Sequence, residues 1–352
     1  MIEGDLNGVG GAKLSQGRNR PHSIRICYVV CGQIFDAGVD LDMVLWIDMP
    51  HQGDAMNEAI NKAEALVDAH EYIRRFNGKT VVVKVGGSIM DQADTLSSLI
   101  VDVCFLKAVG MRPIVVHGGG KHITAAMEKA GLEAHFVQGR RYTDERALAI
   151  VEHVLVQEVN QQIVKKIDAL GHKAMGLHSL SSCVVFAKRF FLRGEGGDGA
   201  ADRKVDVGLV GEVEWVNVDL LHALLDADSI PVIAPVSRDS AGGKLNVNAD
   251  SVAGHVAAAV HAEKLVLVSD THGIRTKPDD LHSLASHLSK SQSHELIEQG
   301  VITAGMLPKV EASLVALEAG VNKAHIIDGR IAHALLLEIY TTEGIGTEIV
   351  LE

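Results

Sequence analysis

The residues of this chain best suited to chemistry are a lysine and a set of glycine amides. Lys84 stands two residues ahead of a glycine pair in Thr80-Val-Val-Val-Lys-Val-Gly-Gly-Ser88. A second run, Pro113-Ile-Val-Val-His-Gly-Gly-Gly120, ends the same way. Each reads as a buried strand that runs into a loop without Cβ atoms, so its N–H groups can face a ligand. Loops of this kind, backed by helix N-termini, hold anions. A lone Gly-Gly would read as a tight strand-to-helix turn. Two such loops with a lysine at one strand end point instead to one site for a heavily negative group, best a transferring phosphoryl. Neither loop is Gly-x-x-x-x-Gly-Lys or Gly-x-Gly-x-x-Gly.

The elements that must position these loops follow from periodicity. Met56–Phe76 carries Ile60, Ala63, Leu66, Val67 and Ile73 at helical spacing, and Asn77-Gly78 stops it. Strand Thr80–Val85, helix Ala93–Val109, strand Arg112–Val116 and helix His122–Ala130 follow, then a short hairpin over His135–Tyr142. Thr143–Leu170 reads as one long helix, with Thr143 as N-cap and Asp144 and Glu145 at the positive end of its dipole. Lys173–Leu177 and Cys183–Arg189 read as strands, Arg193–Lys204 as an exposed Gly-rich loop and Gly208–Val218 as a hairpin arm leading into a helix. Ile230–Val236 is another buried strand, and Ser237–Gly243 a polar hinge between two lobes. Beyond it come strand Lys244–Val247, helix Ala249–Val260, strand Lys264–Ser269, helices Lys290–Gln299 and Lys309–Ala319, and strand Lys323–Ile327. Alternating βα units predict an α/β fold, a mainly parallel central sheet covered by helices on both faces.

Composition narrows the class. The 352 residues suffice for two lobes, and 47% hydrophobic content with only 4% aromatics gives an aliphatic core. A net charge of −12 argues against nucleic-acid or membrane-surface partners while allowing a local basic pocket. No apolar run reaches membrane-spanning length. Four cysteines without metal spacing suggest a reducing, cytoplasmic setting. The eighteen histidines are scattered, and no metal-ligand spacing occurs. Residues 1–55 lack a consistent period and read as an irregular extension ahead of a functional start at Met56.

The order of motifs resembles a known family. His-Gly-Gly-Gly at 117–120, followed by Phe136-Val-Gln-Gly-Arg-Arg-Tyr-Thr-Asp144, is similar to the N-acetylglutamate kinases of the amino acid kinase superfamily. Further matches are Gly211-Glu-Val, Pro231-Val-Ile-Ala-Pro235, Asn246-Val-Asn-Ala-Asp250, Ser269-Asp-Thr-His-Gly273, Gly300-Val-Ile-Thr-Ala-Gly-Met-Leu-Pro-Lys309 and His325-Ile-Ile-Asp-Gly-Arg330. They run in order between Met56 and Glu352. The resemblance implies a three-layer αβα sandwich, with an N-terminal helix at 56–78, an acetylglutamate-binding lobe at 79–236 and an ATP-binding lobe at 237–352.

The same resemblance implies transfer of the ATP γ-phosphoryl, with Mg²⁺ on the nucleotide, to the side-chain carboxylate of N-acetyl-L-glutamate in arginine biosynthesis. A carboxylate of pKa ~4.3 is already a nucleophile at neutral pH and needs no general base. Catalysis then reduces to positioning and charge stabilisation. By family match Lys84 and Lys309 flank the phosphoryl, Asp250 holds both, and Gly87 and Gly119 donate N–H groups to it. Arg141, Gly119, Gly120 and Asn246 fall at acetylglutamate-binding positions, and Asp270, Gly273 and Thr303 at nucleotide-binding ones. Tyr72, with Arg75-Phe76 after it, resembles the arginine-inhibited hexameric branch; Tyr72, His325, Glu338 and Gly344 match its effector site. A homo-oligomer, dimer or hexamer, is expected, with L-arginine as feedback inhibitor. His178-Ser-Leu-Ser-Ser182 departs from the family's usual Ser-Gly-Lys-Asp-Gly, which puts the contacts of that loop in question. A sibling kinase acting on another carboxylate or on carbamate, and a non-catalytic arginine sensor, are the competing readings.

Overall fold

The computed structural model describes residues 12–15, 23–33, 40–50 and 52–352, apart from 194–203, 278, 279, 281, 304, 342 and 343. The chain divides into two compact units, Met1–Glu71 and Tyr72–Glu352. In the first, strands Ala12–Ser15, Ser23–Gln33 and Asp40–Pro50 form an antiparallel sheet in that order. This differs from the irregular extension expected for residues 1–55. The physical reason is in the two apolar runs. Ile24, Ile26, Tyr28 and Val30 alternate with other residues, a pattern suited to strands. Helix Gln52–Phe76 follows, and Gly78 takes a positive φ of 73° just beyond it, as a helix stop requires.

The second unit is built on an eight-stranded sheet. Its spatial order is His287–Ser289, Thr347–Val350, Lys323–Asp328, Lys264–Ser269, Thr80–Val85, Arg112–His117, Ser229–Ile233 and Lys173–Leu177. Every neighbouring pair is parallel except Lys323–Asp328 with Thr347–Val350. The central strands are apolar on both faces, as strands covered on both sides must be. Val81, Val83 and Val85 join one core with Leu96, Ile100 and Val103 of helix Ala93–Ala108. Val82, one residue out of step, joins the opposite core with Val252 and Val256 of helix Ala249–Ala259. Burying each such valine contributes roughly 1.5–3 kcal/mol. The three-layer sandwich is thus set by period-two alternation through a sheet with two buried faces.

Three local expectations change. Thr143 is not an N-cap: its N–H and C=O bond to Val207 and Leu209, beside Gly208. Asp144 caps instead, its Oδ1 accepting from the Ala147 N–H at 2.7 Å. The long helix after it is not uniform either. It runs α over Glu145–Glu152, π over His153–Asn160 and α again over Gln161–Ala169. Finally, Ser237–Gly243 is not a free hinge. Val236–Arg238 pairs with Lys244–Val247, and the Asp239 carboxylate closes the turn by accepting from Ala241 and Gly243. These two strands join Val185–Arg193 and Lys204–Val216 in a small closed barrel. The Gly-rich loop expected at 193–204 lies almost wholly outside the described residues.

Helices Ala249–Ala259 and Leu307–Glu318 cross at a glycine. A Cβ on Gly254 would lie 2.6 Å from the Ala312 carbonyl oxygen, a backbone atom that cannot swing away. Helix propensity alone would make Gly254→Ala stabilising by about 1 kcal/mol. Overpacking against backbone costs about 1–3 kcal/mol and should win. The thermal midpoint of Gly254→Ala is therefore expected to fall. A midpoint at or above wild type would mean the helices separate at no cost.

Candidate active site at the carboxyl ends of the central strands

Strand Thr80–Val85 lies between Lys264–Ser269 and Arg112–His117. The chain leaves it towards Arg112–His117 and only later returns on its other side. Such a reversal opens a crevice at the strands' carboxyl ends, where ligands bind in open α/β sheets. Both glycine loops emerge there. The Gly86 N–H donates to Val268 O at 3.0 Å and the Gly118 N–H to Val85 O at 2.9 Å, which ties the loops to the sheet ends. They also face each other: a Cβ on Gly87 would lie 3.2 Å from the Gly120 amide nitrogen.

Alternation then aims the lysine. Lys84 is two residues from Val82 and points to the face covered by helix Ala249–Ala259. Asp250 opens that helix, oriented by Asn248, whose Oδ1 accepts from the Asp250 and Ser251 N–H groups. Lys84 Nζ lies 2.8 Å from Asp250 Oδ1, and Lys309 Nζ lies 3.4 Å from Oδ2. The Lys84 contact is an ion pair without the alignment of a hydrogen bond, so Oδ1 has a charge partner but no aimed donor. Lys309 also donates to Gly305 O at 3.2 Å. Lys84 and Asp250 are each 5% exposed. Burial alone would raise the Asp250 carboxyl, but the two ammonium groups outweigh it and hold it below the usual carboxylate range. Lys309 is pushed below the ordinary lysine value by burial and by Lys84, against the pull of Asp250.

A cavity of about 700 Å³ opens over Lys84 and Asp250, with Lys309 behind the shared carboxylate rather than in its lining. Lys84, Gly87, Gly119, Arg141, Asn246 and Asp250 all line it, with Gly120 and Asp270 at its walls. Arg141 is 8% exposed. Its guanidinium donates to Gly120 O (3.0 Å), Thr124 Oγ1 (2.6 Å) and Met127 Sδ (3.2 Å), and Phe136 packs over it at 4.7 Å. None of these partners is an acid, so its charge is left for an anion in the cavity. Burial accordingly lowers its pKa. Asn246 donates to Thr143 Oγ1 at 3.2 Å. A second cavity of about 330 Å³, lined by Asp270, Gly273 and Thr303, adjoins through Asp270. Gly273 has φ 113°, and a Cβ there would meet Thr347 Oγ1 at 2.6 Å, so only glycine fits.

The effector positions lie on other elements. His325 Nδ1 pairs with Glu338 Oε1, and Glu338 Oε2 accepts from the Ile345 and Gly346 N–H groups. Gly344, at φ 62°, sits over the same carboxylate. Burial would raise the Glu338 carboxyl, yet the His325 and backbone donors hold it low. Tyr72 packs against the core cluster that contains Leu335 and Ile339. Sequence reading missed Lys264, a buried cation over the Phe76 ring at 5.0 Å, whose charge also bears on Glu338. It also missed Thr124 beside Arg141 and the Asn248 cap; the cap had a legible signal, since an asparagine precedes Ala249-Asp250 at a helix start.

Residues 79–328 match the amino acid kinase family. Curated acetylglutamate kinases match almost end to end. That of Methanocaldococcus jannaschii is 46% identical over 84% of this chain and 99% of its own length. That of Syntrophus aciditrophicus is 43% identical over 85% and 100%. The chain belongs to the amino acid kinase family, among its acetylglutamate kinases. Solved amino acid kinase folds agree. An N-acetylglutamate synthase from Neisseria gonorrhoeae, complexed with coenzyme A and N-acetyl-glutamate, superposes with a TM-score of 0.71 at 26% identity, covering 82% of this chain and 63% of that one. A Giardia lamblia carbamate kinase bound to AMP-PNP shares the fold alone, at TM-score 0.54 and 15% identity over 78% and 99%.

The paired lysines make Asp250 a stability element of this kinase. Its lowered pKa means that its contribution is present above the unfolded value of 3.8 and is lost only as pH falls through the still lower folded value. Asp250→Asn should therefore cost about 3–5 kcal/mol at neutral pH, the usual cost of stripping one partner from a buried pair. Urea unfolding of both proteins across pH should show a constant gap that closes only below the ordinary carboxylate range. A gap that closes near neutral pH would rule out the ion-paired carboxylate.

Proposed function

We propose that this kinase transfers the γ-phosphoryl of ATP to the side-chain carboxylate of N-acetyl-L-glutamate, giving N-acetyl-L-glutamyl 5-phosphate for arginine biosynthesis. One observation carries the reading. Two lysines share one buried aspartate at the mouth of two glycine loops, with an acid-free arginine across the same cavity. Arg141 takes the α-carboxylate of the acceptor with its planar fork, and Asn246, Gly119 and Gly120 line the rest of the molecule. The acceptor carboxylate is already ionised and attacks in line. The Gly87 and Gly119 N–H groups and Lys84 meet the equatorial oxygens, and Lys309 meets the charge growing on the ADP side. Asp250 holds the lysines apart and in place. Asp270, Gly273 and Thr303 receive the nucleotide, which brings Mg²⁺ on its phosphates as part of the substrate. In this reading residues 79–236 form the acceptor lobe and 237–352 the nucleotide lobe, in a cytoplasmic enzyme.

Arginine feedback belongs to the same proposal. It is supported by the His325–Glu338–Lys264 cluster, whose carboxylate suits a guanidinium, and by a solved relative, the Neisseria gonorrhoeae N-acetylglutamate synthase, described as complexed with coenzyme A and L-arginine. Assembly into a dimer or hexamer is supported by Met56, Ile60, Leu66 and Val67, apolar residues exposed on the N-terminal helix. Light scattering with and without L-arginine is the measurement for both; a monomer indifferent to arginine would count against them.

The decisive assay is ADP release with N-acetylglutamate, glutamate and aspartate in parallel. Release is expected with N-acetylglutamate, and a preference for either free amino acid would overturn the acceptor assignment. Lys84→Arg should lower kcat on the order of 10²-fold with the fold intact, because a bulkier planar cation cannot occupy the same point beside Asp250. Unchanged turnover would remove Lys84 from the mechanism.

A further inference from the structure

We infer that His117 is a positioning residue which fixes the orientation of the Gly118–Gly119 peptide, and that Asn160 selects the tautomer that lets it do so. The inference rests on the phosphoryl-transfer reading of the site.

The chain of hydrogen bonds starts in the sheet. Asn160 Nδ2 donates to the Val232 carbonyl oxygen at 2.9 Å and lies 3.0 Å from His117 Nε2. A carbonyl can only accept, so it fixes which end of the asparagine amide faces it. The same nitrogen then has its second hydrogen for His117 Nε2, which must accept. A neutral imidazole that accepts at Nε2 carries its proton on Nδ1. His117 Nδ1 lies 2.9 Å from Gly118 O, and so it donates to that carbonyl. The ring is wholly buried and burial pushes its pKa down to about 4, so the neutral form holds at physiological pH.

The last link is geometry. Gly118 C=O and Gly119 N–H belong to one trans peptide and point in opposite directions. Pinning the oxygen on the imidazole aims the N–H the other way. Among the described residues no backbone carbonyl takes that N–H, and Gly119 lines the main cavity. Both residues of this peptide are glycines and resist rotation weakly. If the peptide flipped, a carbonyl oxygen would replace an N–H donor in front of a polyanion.

The π-helical stretch supplies the other half of the clamp. Asn160 closes it, and Leu155 within it presses on the loop, since a Cβ on Gly119 would meet Leu155 Cδ2 at 2.5 Å. π-Segments are uncommon and cluster at functional sites. Here one places both Leu155 and Asn160 against the same loop.

Two replacements separate the ring's two hydrogen bonds. The Asn amide nitrogen stands near the Nδ1 position, and the Gln amide stands near Nε2, where its oxygen can accept from Asn160 Nδ2. His117→Asn can still hold Gly118 O, while His117→Gln reaches Asn160 and leaves the carbonyl free. We expect His117→Gln to lose kcat on the order of 10²-fold, the usual effect of losing one oxyanion donor, with KM for N-acetylglutamate changed less than about threefold. His117→Asn should recover kcat to within about tenfold of wild type. Equal kcat in the two variants would overturn the inference. Nitrogen NMR of the ring in the wild-type enzyme tests it without substrate or substitution. The expected spectrum is a neutral Nδ1–H tautomer that does not titrate between about pH 5.5 and 8. A proton on Nε2, or titration in that range, refutes it. Failure of wild type to release ADP would refute the kinase reading instead, and the tautomer measurement would stand apart from it.

Discussion

The site depends on one buried carboxylate shared by two ammonium groups. Asp250 carries both lysines, Lys84 from a strand and Lys309 from a helix. Without it, two like charges would face each other in a poorly solvated crevice, a costly arrangement. With it, the lysines are held apart and neither can collapse onto the other. The cavity remains net cationic in a chain of net charge −12, since Lys84, Lys121, Arg140 and Arg141 outnumber Glu128, Asp250 and Asp270 on its walls. That contrast favours anions at the cavity in a chain whose net charge is negative.

The sheet makes this geometry robust. Lys84 reaches Asp250 because it sits in step with Val82 and out of step with Val83. A register slip of one residue would turn the lysine to the opposite helical layer and expel a valine from its core. Hydrophobic burial on two faces thus fixes the direction of a buried charge at the cavity. Gly254 plays the matching part between the helices, since the Asp250 helix and the Lys309 helix approach to a distance that admits no Cβ. Packing in the core and distance at the site are the same constraint seen at two depths.

Much of this was legible in the sequence. The strands ending in Lys84 and His117 announced themselves as short β-branched runs followed by glycines, and strand-helix alternation gave the sheet. The family motifs named residues that the fold brings to one cavity. What stayed hidden is non-local or has no propensity of its own. The small barrel pairs Val185–Arg193 with strands far along the chain, so Ser237–Gly243 read as a hinge. The π-stretch uses ordinary helix-forming residues, and its register matters only through Leu155 and Asn160. Thr143 was mistaken for a cap because Thr-Asp-Glu offers two candidates, and the bridge to Gly208 that occupies Thr143 lies beyond local reading. The three strands before residue 51 were missed because no partner was visible for either apolar run taken singly.

A cation that binds ATP and the transition state equally would not accelerate transfer. The arrangement of Lys309 suggests how this enzyme avoids that. Lys309 sits in the first turn of its helix, and burial together with Lys84 depresses its pKa. Its charge is only partly compensated, because Asp250 is divided between two partners. The helix N-terminus adds positive potential at the same point. Negative charge arriving near Lys309 meets a cation that shares its carboxylate partner with Lys84. As the bond to ADP breaks, that charge grows on the leaving oxygen, the position assigned to Lys309. In the proposed mechanism a shared, partly compensated cation then meets the last charge to appear, which directs stabilisation to the transition state rather than to bound ATP.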